Sequence, residues 1–225
     1  PNGIEGKNFY QKNLSDQAPD WATTMPYTSN EEKNIDKHFL VATNEASLLY
    51  MANLGSIEMN PWSSTMDNPD HPDWCILDID PGSKSTFEDV ITVAQHIKTI
   101  LDELKIEGYP KTSGATGMHI YIPLGGKYTY DESQMFARWI ATRVQSQLPD
   151  TTSIERIVKA RKGKLYIDFL QNRPQATLAA PYSVRPKPKA TVSMPLHWSE
   201  VKKGLKPTDF TIKNAIARMR KEGDL

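Results

Sequence analysis

The chain has 225 residues, of which 38% are hydrophobic and 24% charged, and its 27 basic residues balance its 27 acidic residues. This composition is typical of a globular protein, and the apolar runs are far too short to span a bilayer. The single cysteine, Cys75, cannot form an internal disulfide, and the first residues lack the features of a signal peptide. Both observations favour a reducing, cytoplasmic setting.

The net charge of zero hides a strong asymmetry along the chain. Residues 1–75 carry 4 basic and 11 acidic residues, residues 76–150 carry 7 and 10, and residues 151–225 carry 16 and 6. The net charges of the three thirds are therefore −7, −3 and +10. Such an asymmetry predicts one region that holds cations and another that follows a polyanion.

Turn-forming and aromatic residues dominate the first 73 positions. We expect loops and short strands there, with one helix over about 45–54. The apolar run 74–80 follows and ends at Pro81-Gly82. This pattern predicts a buried strand that stops at a turn.

Beyond residue 82 helical and strand patterns alternate. Ser85, with Glu88 three residues later, predicts a capping box that opens an amphipathic helix. The further elements expected, in chain order, are a strand over 119–123, a helix from Asp131, a strand over 164–170 as the second arm of a hairpin turning at 162–163, extended chain over 174–189 and a helix over about 211–222. The order β-α-β-α-β-β predicts an α+β fold.

Two acids lie at the end of the first predicted core strand. Asp78 and Asp80 are two residues apart, so their carboxylates point to the same face. Burying unpaired charges is costly, and carboxylate oxygens are ligands that suit Mg²⁺ or Mn²⁺. The pair therefore predicts a cation site, although Asp-Pro-Gly is also a common turn in which Asp80 has only a structural part.

A third acid, Asp168, stands alone in a basic region. It is the only acid between Arg156 and Lys189. Beside the first two carboxylates it would complete a two-metal site, while the basic residues would hold a triphosphate and a nucleic-acid backbone. Alternatively, Asp168 pairs with Arg161 or Lys164. The nine basic residues of this stretch are Arg156, Lys159, Arg161, Lys162, Lys164, Arg173, Arg185, Lys187 and Lys189.

A loop with two glycines, residues 112–118, enters the predicted strand 119–123. Its backbone amides, the Ser113 hydroxyl and the His119 imidazole could together cradle a phosphate. The same pattern also fits a tight turn followed by a structural histidine. The loop is a candidate anion site only in combination with the three acids.

Aromatic residues in the acidic first third are candidates for stacking on bases, because any exposed ring can fill that role. We select Trp21 and Trp62. Lys12, which lies in an aromatic-flanked segment, is a candidate for a phosphate contact. The competing interpretation is that most of these rings are buried in a core.

Four ordered segments together resemble a known family. They are Leu77–Gly82, Thr112–Leu124, Arg161–Asn172 and Ala180–Arg185. The chain resembles the polymerase domain of ligase D-type end-joining proteins, which belongs to the archaeo-eukaryotic primase superfamily. The likeness runs from Pro1 to about Trp198.

The resemblance implies a primase-polymerase α+β fold, with a mainly antiparallel catalytic sheet flanked by helices. It implies one domain over 1–225, made of an N-terminal part, 1–73, and a catalytic core, 74–225. The implied activity is template-directed addition of NTPs or dNTPs to a DNA 3′ end during double-strand break repair by non-homologous end joining. Two Mn²⁺ or Mg²⁺ ions would assist the addition of the nucleotide. Expected partners are DNA with a 3′ overhang or gap, and Ku-type and ligase proteins; we expect a monomer that binds no membrane and associates with the prokaryotic nucleoid.

The resemblance also assigns roles to residues. The catalytic metal ligands would be Asp78, Asp80 and Asp168. The residues that contact the incoming nucleotide would be Ser113, His119 and Arg185, supported by Arg161, Lys164, Lys12 and Gln171. Independently of the resemblance, the residues expected to contact nucleic acid are the aromatic residues Trp21 and Trp62 and two lysines of the basic stretch, Lys159 and Lys187.

Three departures from the family pattern modify these expectations. Thr116 stands where a lysine is common, which removes one phosphate contact. Asn60 stands where a histidine near the nucleotide is usual. The family has a further N-terminal segment, associated with capture of a 5′ phosphate, to which no part of this sequence corresponds, so no residue here is assigned to a 5′-phosphate pocket.

Two other functions fit parts of the pattern. In an Asp-x-Asp phosphohydrolase, Asp78 would attack phosphate directly. That type usually continues with Thr or Val, whereas here Pro81-Gly82 follows. In a non-catalytic nucleic-acid-binding module, the basic region would bind and the acids would be structural.

Overall fold

The computed structural model describes residues 6–7, 9–14, 17–27 and 37–225, which fall into two compact units, residues up to 57 and residues 58–225. Among the described helices, none combines the length and apolar character needed to cross a bilayer.

The first unit contains a two-stranded antiparallel sheet and one helix. Strands β1 (Thr24–Tyr27) and β2 (Lys37–Leu40) pair, and α1 (Glu45–Asn53) follows. Asn44 begins the helix, because its side chain accepts a hydrogen bond from the amide of Ser47 at 3.0 Å. The predicted short strands and the helix over 45–54 are confirmed.

The second unit is built on a five-stranded sheet in the order β4-β5-β3-β7-β6. Three neighbouring pairs are antiparallel, and only β6 and β7 run parallel. The mainly antiparallel α+β fold is therefore confirmed. The strands are β3 (Trp74–Asp80), β4 (Tyr109–Thr112), β5 (Met118–Pro123), β6 (Thr152–Ser153) and β7 (Leu165–Asp168).

Two long helices cover one face of this sheet. In β3 the residues Cys75, Leu77 and Ile79 are fully buried and belong to the hydrophobic core, together with apolar residues of both helices. Because neighbouring residues of a strand alternate between faces, Asp78 and Asp80 lie on the face opposite this core. The helices of the second unit are α2 (Phe87–Leu104), α3 (Tyr130–Gln147), α4 (Val158–Arg161) and α5 (Ala215–Glu222).

The start of α2 differs by one residue from the prediction. Thr86 and Asp89 form the capping box, with 3.3 Å from the Asp89 amide to Thr86 Oγ1 and 2.7 Å from the Thr86 amide to Asp89 Oδ2. The predicted pair Ser85 and Glu88 was wrong, because the Ser85 amide donates to the Gly82 carbonyl and so belongs to the turn after β3.

The hairpin predicted around residues 162–163 was also wrong. The residues before this turn form α4, and β7 pairs with the distant strand β3 and in parallel with β6. Strand β4 was not predicted, because Pro110 weakens its strand pattern. Its position at the edge of the sheet tolerates a proline. The last helix begins at Ala215, four residues later than expected.

Beyond the end of β7, the Asn172 side chain makes the hydrogen bonds to the backbone of β3. Its Oδ1 accepts a hydrogen bond from the amide of Ile76 at 2.8 Å, and its Nδ2 donates to the Ile76 carbonyl at 2.7 Å. The same Nδ2 donates to the Phe169 carbonyl at 2.9 Å, and Ser133 Oγ donates to Oδ1 at 3.1 Å. A buried side chain thus satisfies the backbone of β3 two residues before Asp78.

Substitution Asn172→Ala should destabilise the protein strongly. It leaves the buried amide and carbonyl of Ile76 without partners, and each such group costs about 1–3 kcal/mol. We expect the free energy of unfolding in urea to fall by about 2–4 kcal/mol. The exposed neighbour Arg173→Ala is the control, with no expected change beyond about 0.5 kcal/mol. Equal effects of the two substitutions would contradict this role of Asn172.

Candidate active site

Strand pairing brings the three predicted acids together. Asp78 in β3 is the direct cross-strand partner of Asp168 in β7, and Asp80 lies two residues further along the same face of β3. Asp78 is only 6% exposed, whereas the other two acids are partly buried. The acids thus form a carboxylate cluster, defined here as Asp78, Asp80 and Asp168, at the ends of two adjacent antiparallel strands.

The carboxylate cluster is electrostatically strained. Burial raises the pKa of Asp78 well above its usual value, and the charges of Asp80 and Asp168 raise it further. Burial, followed by the charge of Asp168, also raises the pKa of Asp80, while Arg161 and Arg185 oppose this shift. The cluster therefore favours either a bound proton or a nearby cation.

Asp168 is held in place by its neighbours on β7 and in the following turn. The Tyr166 hydroxyl donates to its Oδ1 at 3.1 Å, and the Leu170 amide donates to the same oxygen at 2.8 Å. Gln171 Nε2 donates to Oδ2 at 3.0 Å. Gln171, which the sequence suggested for the nucleotide pocket, thus lies directly against the third acid.

His119 lies next to the carboxylate cluster in β5, as the cross-strand partner of Asp78. It is 2% exposed, and its Nε2 lies 3.3 Å from Asp78 Oδ1 without the geometry of a hydrogen bond. Within the described chain neither that oxygen nor His119 Nδ1 has a hydrogen-bond partner. Burial, then the charges of Lys111 and Arg185, lower the pKa of His119 well below its usual value, so the ring is neutral at pH 7.

The loop between β4 and β5 is closed around the Ser113 side chain. Its Oγ accepts hydrogen bonds from the amides of Ala115 at 3.1 Å and Gly117 at 3.0 Å. The amides of Ala115 and Gly117, which belong to the loop expected to bind a phosphate, therefore donate their hydrogen bonds within the loop. Gly117 is required here, because a Cβ at this position would lie 2.1 Å from the carbonyl oxygen of Ile79, between the two acids of β3.

Arg185 reaches this loop from the C-terminal part of the chain. Its Nη1 donates to the Ser113 carbonyl at 2.7 Å, and its Nε donates to Glu58 Oε2 at 2.7 Å. Sequence reasoning placed Arg185 near the nucleotide but missed Glu58. No local pattern marks a single acid 127 residues away as the partner of an arginine.

Arg161 and Lys164, predicted together, have different surroundings. The Arg161 guanidinium lies over the Tyr166 ring, 3.5 Å from its centroid, and its charge opposes the rise in the pKa of Asp80. Lys164 Nζ instead donates to the Pro149 carbonyl at 2.6 Å and lines a pocket of about 300 Å³ with Lys84 and Lys162. The structure therefore brings Arg161, but not the ammonium group of Lys164, to the carboxylate cluster.

The remaining predicted residues have exposed or half-buried side chains. Lys159 and Lys187 are exposed, and Trp62 is half-buried. In the first unit, Lys12 Nζ lies 5.6 Å from the centroid of the Tyr10 ring. Trp21 is 55% exposed and packs edge-on against Tyr50, with 5.7 Å between ring centroids. Their assigned contacts with nucleotide or nucleic acid stay predictions.

The chemistry of the carboxylate cluster fits a divalent cation. Among the residues that the structure describes, no three His, Cys, Asp or Glu side chains converge closely enough to form a complete site by themselves. The unpartnered buried Oδ1 of Asp78 and the raised pKa values of two adjacent acids nevertheless match a group that gains from a cation. Carboxylates that hold Mg²⁺ or Mn²⁺ commonly share it with water and phosphate. Asp78, Asp80 and Asp168 are the residues that would hold it.

Comparison with known proteins decides the family. A model of the family described as "LigD, primase-polymerase domain" matches residues 1–225. The chain belongs to the LigD primase-polymerase domain family. The resemblance based on the four sequence segments is thereby confirmed.

Two curated relatives illustrate the extent of the match. The bifunctional non-homologous end joining protein LigD of Bacillus subtilis (strain 168) is 34% identical over 224 residues, which cover 99% of this chain and 35% of that protein. The multifunctional LigD of Pseudomonas aeruginosa is 30% identical over 204 residues, which cover 89% and 24%. The chain thus spans between about a quarter and a third of the length of these relatives.

A solved structure shares the fold. The polymerase domain from Mycobacterium tuberculosis Ligase D, in complex with DNA, superposes with a TM-score of 0.90 at 24% sequence identity. The match covers the whole of this chain and 80% of the other. The α+β architecture described above is therefore that of a LigD polymerase domain.

Divalent cations should stabilise the protein through the carboxylate cluster. At a concentration 100 times its Kd a ligand adds about 2.7 kcal/mol, which corresponds to a rise in Tm of about 5–10 °C for a domain of this size. We expect Mn²⁺ to raise the Tm of the wild type by this amount. Asp78→Asn should raise the Tm without metal by a few degrees, because it removes a buried charge, and should remove most of the Mn²⁺ effect.

Asp67→Asn is the matched control, since Asp67 is an exposed acid outside the cluster. It should leave both the Tm without metal and the Mn²⁺-induced rise unchanged. An equal Mn²⁺ effect on the wild type and on Asp78→Asn would contradict a metal site at the cluster.

Proposed function

We propose that this chain is the catalytic part of a template-directed nucleotidyltransferase. It adds NTPs or dNTPs to a DNA 3′ end during double-strand break repair by non-homologous end joining. The observation that carries this proposal is the cross-strand pairing of Asp78 with Asp168, beside Asp80. Three adjacent carboxylates are the donor set of a two-metal phosphoryl-transfer site.

The pairing matters because of the distance in sequence that it spans. Asp168 comes from the basic region of the chain, 90 residues after Asp78, yet it is a direct neighbour of that residue in the sheet. Divalent ions held there would activate the primer 3′-hydroxyl and neutralise charge on the leaving pyrophosphate. Mn²⁺ and Mg²⁺ are both compatible with an all-oxygen donor set.

The residues around the cluster form the triphosphate side of the site. Arg185 is anchored to the Ser113 carbonyl and to Glu58, so its guanidinium enters the site with a fixed orientation. Such a preorganised planar donor suits phosphate oxygens. The neutral, buried ring of His119 has an Nδ1 without a hydrogen-bond partner in the described chain, and it can bond a polar ligand group without adding a charge.

Arg161 occupies the opposite side of the cluster. Its guanidinium is held over Tyr166 and by the backbone carbonyls of Glu155 and Arg156 at 2.8 and 2.9 Å. These bonds place a permanent positive charge near Asp80. In this position it would stabilise negative charge that develops during transfer.

DNA is the proposed polyanionic partner. The C-terminal third carries a net charge of +10, and its exposed lysines Lys159 and Lys187 flank the segments that contain Arg161 and Arg185. A DNA complex is named for the solved M. tuberculosis polymerase domain. We extend DNA binding to this chain, with a 3′ overhang or gap as substrate and with Ku-type and ligase proteins as partners in the cytoplasm.

Removal of these two lysines should weaken DNA binding in a salt-dependent manner. Each phosphate contact contributes roughly 0.9 to the slope of log K against log salt concentration on duplex DNA. We expect Lys159→Ala with Lys187→Ala to lower the slope by about 1–2, measured by fluorescence anisotropy over a salt series. The exposed Lys127→Ala should leave the slope unchanged, and an unchanged slope in the double variant would contradict the assigned DNA contacts.

Primer extension tests the proposed reaction. On a gapped or overhanging DNA, with NTPs or dNTPs and Mn²⁺ or Mg²⁺, the wild type should add the templated nucleotide. Asp78→Ala and Asp168→Ala should each reduce the rate by at least about 100-fold, because each removes a metal ligand. Binding of DNA by anisotropy should stay within about threefold of the wild type, since the basic contacts remain.

Absence of extension by the wild type under all these conditions would refute the polymerase proposal. Extension that both alanine variants retain would place the chemistry elsewhere. Release of inorganic phosphate from a phosphomonoester, lost in Asp78→Ala, would instead indicate a phosphohydrolase. DNA binding without either reaction would indicate a non-catalytic binding module.

A further inference from the structure

A lysine is buried inside the catalytic sheet. Lys111, in β4, is 2% exposed. Lysines are almost never buried to this extent unless their charge is paired, because desolvation of an ammonium group is costly. Burial lowers the pKa of Lys111 to about 7, although the charge of Asp78 opposes this shift. No role is assigned to this residue by the site described above.

The Lys111 ammonium ties β4 to a distant segment. Its Nζ donates to the Ala179 carbonyl at 2.8 Å and to Ser193 Oγ. Ser193 Oγ in turn donates to the Thr112 carbonyl at 2.9 Å, which returns the link to β4. The Tyr121 ring lies beside the ammonium, with 5.6 Å from Nζ to the ring centroid. The two principal acceptors, Ala179 and Ser193, are the ends of one loop.

That loop, residues 179–193, carries Arg185. Its two arms are joined by hydrogen bonds from the Tyr182 amide to the Ser193 carbonyl at 2.7 Å and from the Arg185 amide to the Thr191 carbonyl at 2.8 Å. Lys111 therefore holds the base of a closed loop. From this loop the Arg185 side chain reaches the Ser113 carbonyl.

Lys111 also lies in line with the carboxylate cluster. Lys111 in β4 is the cross-strand partner of His119 in β5. His119 in turn pairs with Asp78 in β3, and Asp78 pairs with Asp168 in β7. Direct partners in antiparallel strands project to the same face. Four adjacent strands thus present a lysine, a histidine and two aspartates in one row, and the base of the Arg185 loop is fixed to the first of them.

We propose that Lys111 is a positioning residue for the nucleotide site. Its buried ammonium fixes the loop 179–193 against β4, and this keeps the Arg185 guanidinium beside Ser113 at the end of the row that contains Asp78. This inference rests on the proposed function, because Arg185 is assumed to bind the triphosphate. It predicts that Lys111 acts on nucleotide binding through Arg185.

A double-substitution cycle separates this role from a structural one. Lys111→Met keeps about the same volume and removes the charge, but it leaves the buried carbonyl of Ala179 without its donor, which destabilises the fold. We expect its Tm to fall by several degrees, its KM for the nucleotide in primer extension to rise about tenfold, and its kcat to stay within about threefold. In an Arg185→Ala background, Lys111→Met should have no further effect on KM.

Two additional measurements make the test independent of catalytic rate and of folding. The rise in Tm produced by NTP with Mn²⁺ should be reduced equally in Lys111→Met, Arg185→Ala and the double variant. Ser193→Ala, which removes one acceptor and keeps the lysine, should give a smaller rise in KM that is also absent in the Arg185→Ala background. Ser193→Ala serves as the test variant if Lys111→Met does not fold. The exposed lysine variant Lys127→Met should behave as the wild type.

The outcomes are distinguishable. Failure of the wild type to extend primers would overturn the proposed function and this inference with it. Extension by the wild type with an unchanged KM in Lys111→Met would overturn only the inference. Effects of Lys111→Met on KM that add to those of Arg185→Ala, whatever the change in Tm, would show a purely structural lysine and would likewise overturn the positioning role.

Discussion

Mutual repulsion of three carboxylates is the constraint on which this structure depends. Asp78 and Asp168 are held as direct neighbours by the pairing of β3 with β7, and Asp80 lies on the same face. Burial and the adjacent charges raise the pKa values of Asp78 and Asp80, so the isolated cluster costs stability. A fold retains such an arrangement only when the rest of the structure fixes it.

The supporting structure does fix it from several sides. The apolar face of β3 packs under α2 and α3, and Asn172 satisfies the β3 backbone beyond the end of β7. Gly117 lets the neighbouring loop approach the carbonyl of Ile79. Rigid elements rather than flexible loops therefore carry the acids, which is the arrangement that preorganised electrostatic catalysis needs.

Positive charge is distributed around the cluster in three different ways. Arg161 is held over an aromatic ring, Arg185 is held by an acid and a carbonyl, and Lys111 is buried behind the loop that carries Arg185. Only the first two were predicted from the sequence. The position of Lys111 in an edge strand with a proline gave no sign that its ammonium would be buried, because burial depends on the distant segment that covers it.

The sequence by itself determined the apolar strand with its two aspartates, the amphipathic helices and the basic C-terminal third. These features depend on local periodicity and composition, which short windows of sequence retain. The resemblance of four sequence segments to a known family indicated the family. Only the tertiary structure decided that Asp168 pairs with Asp78, that Lys164 is engaged by the Pro149 carbonyl, and that Glu58 and Lys111 support Arg185. These contacts join residues far apart in the chain, and the free energy that selects them comes from burial and charge in the folded state, which no local pattern records.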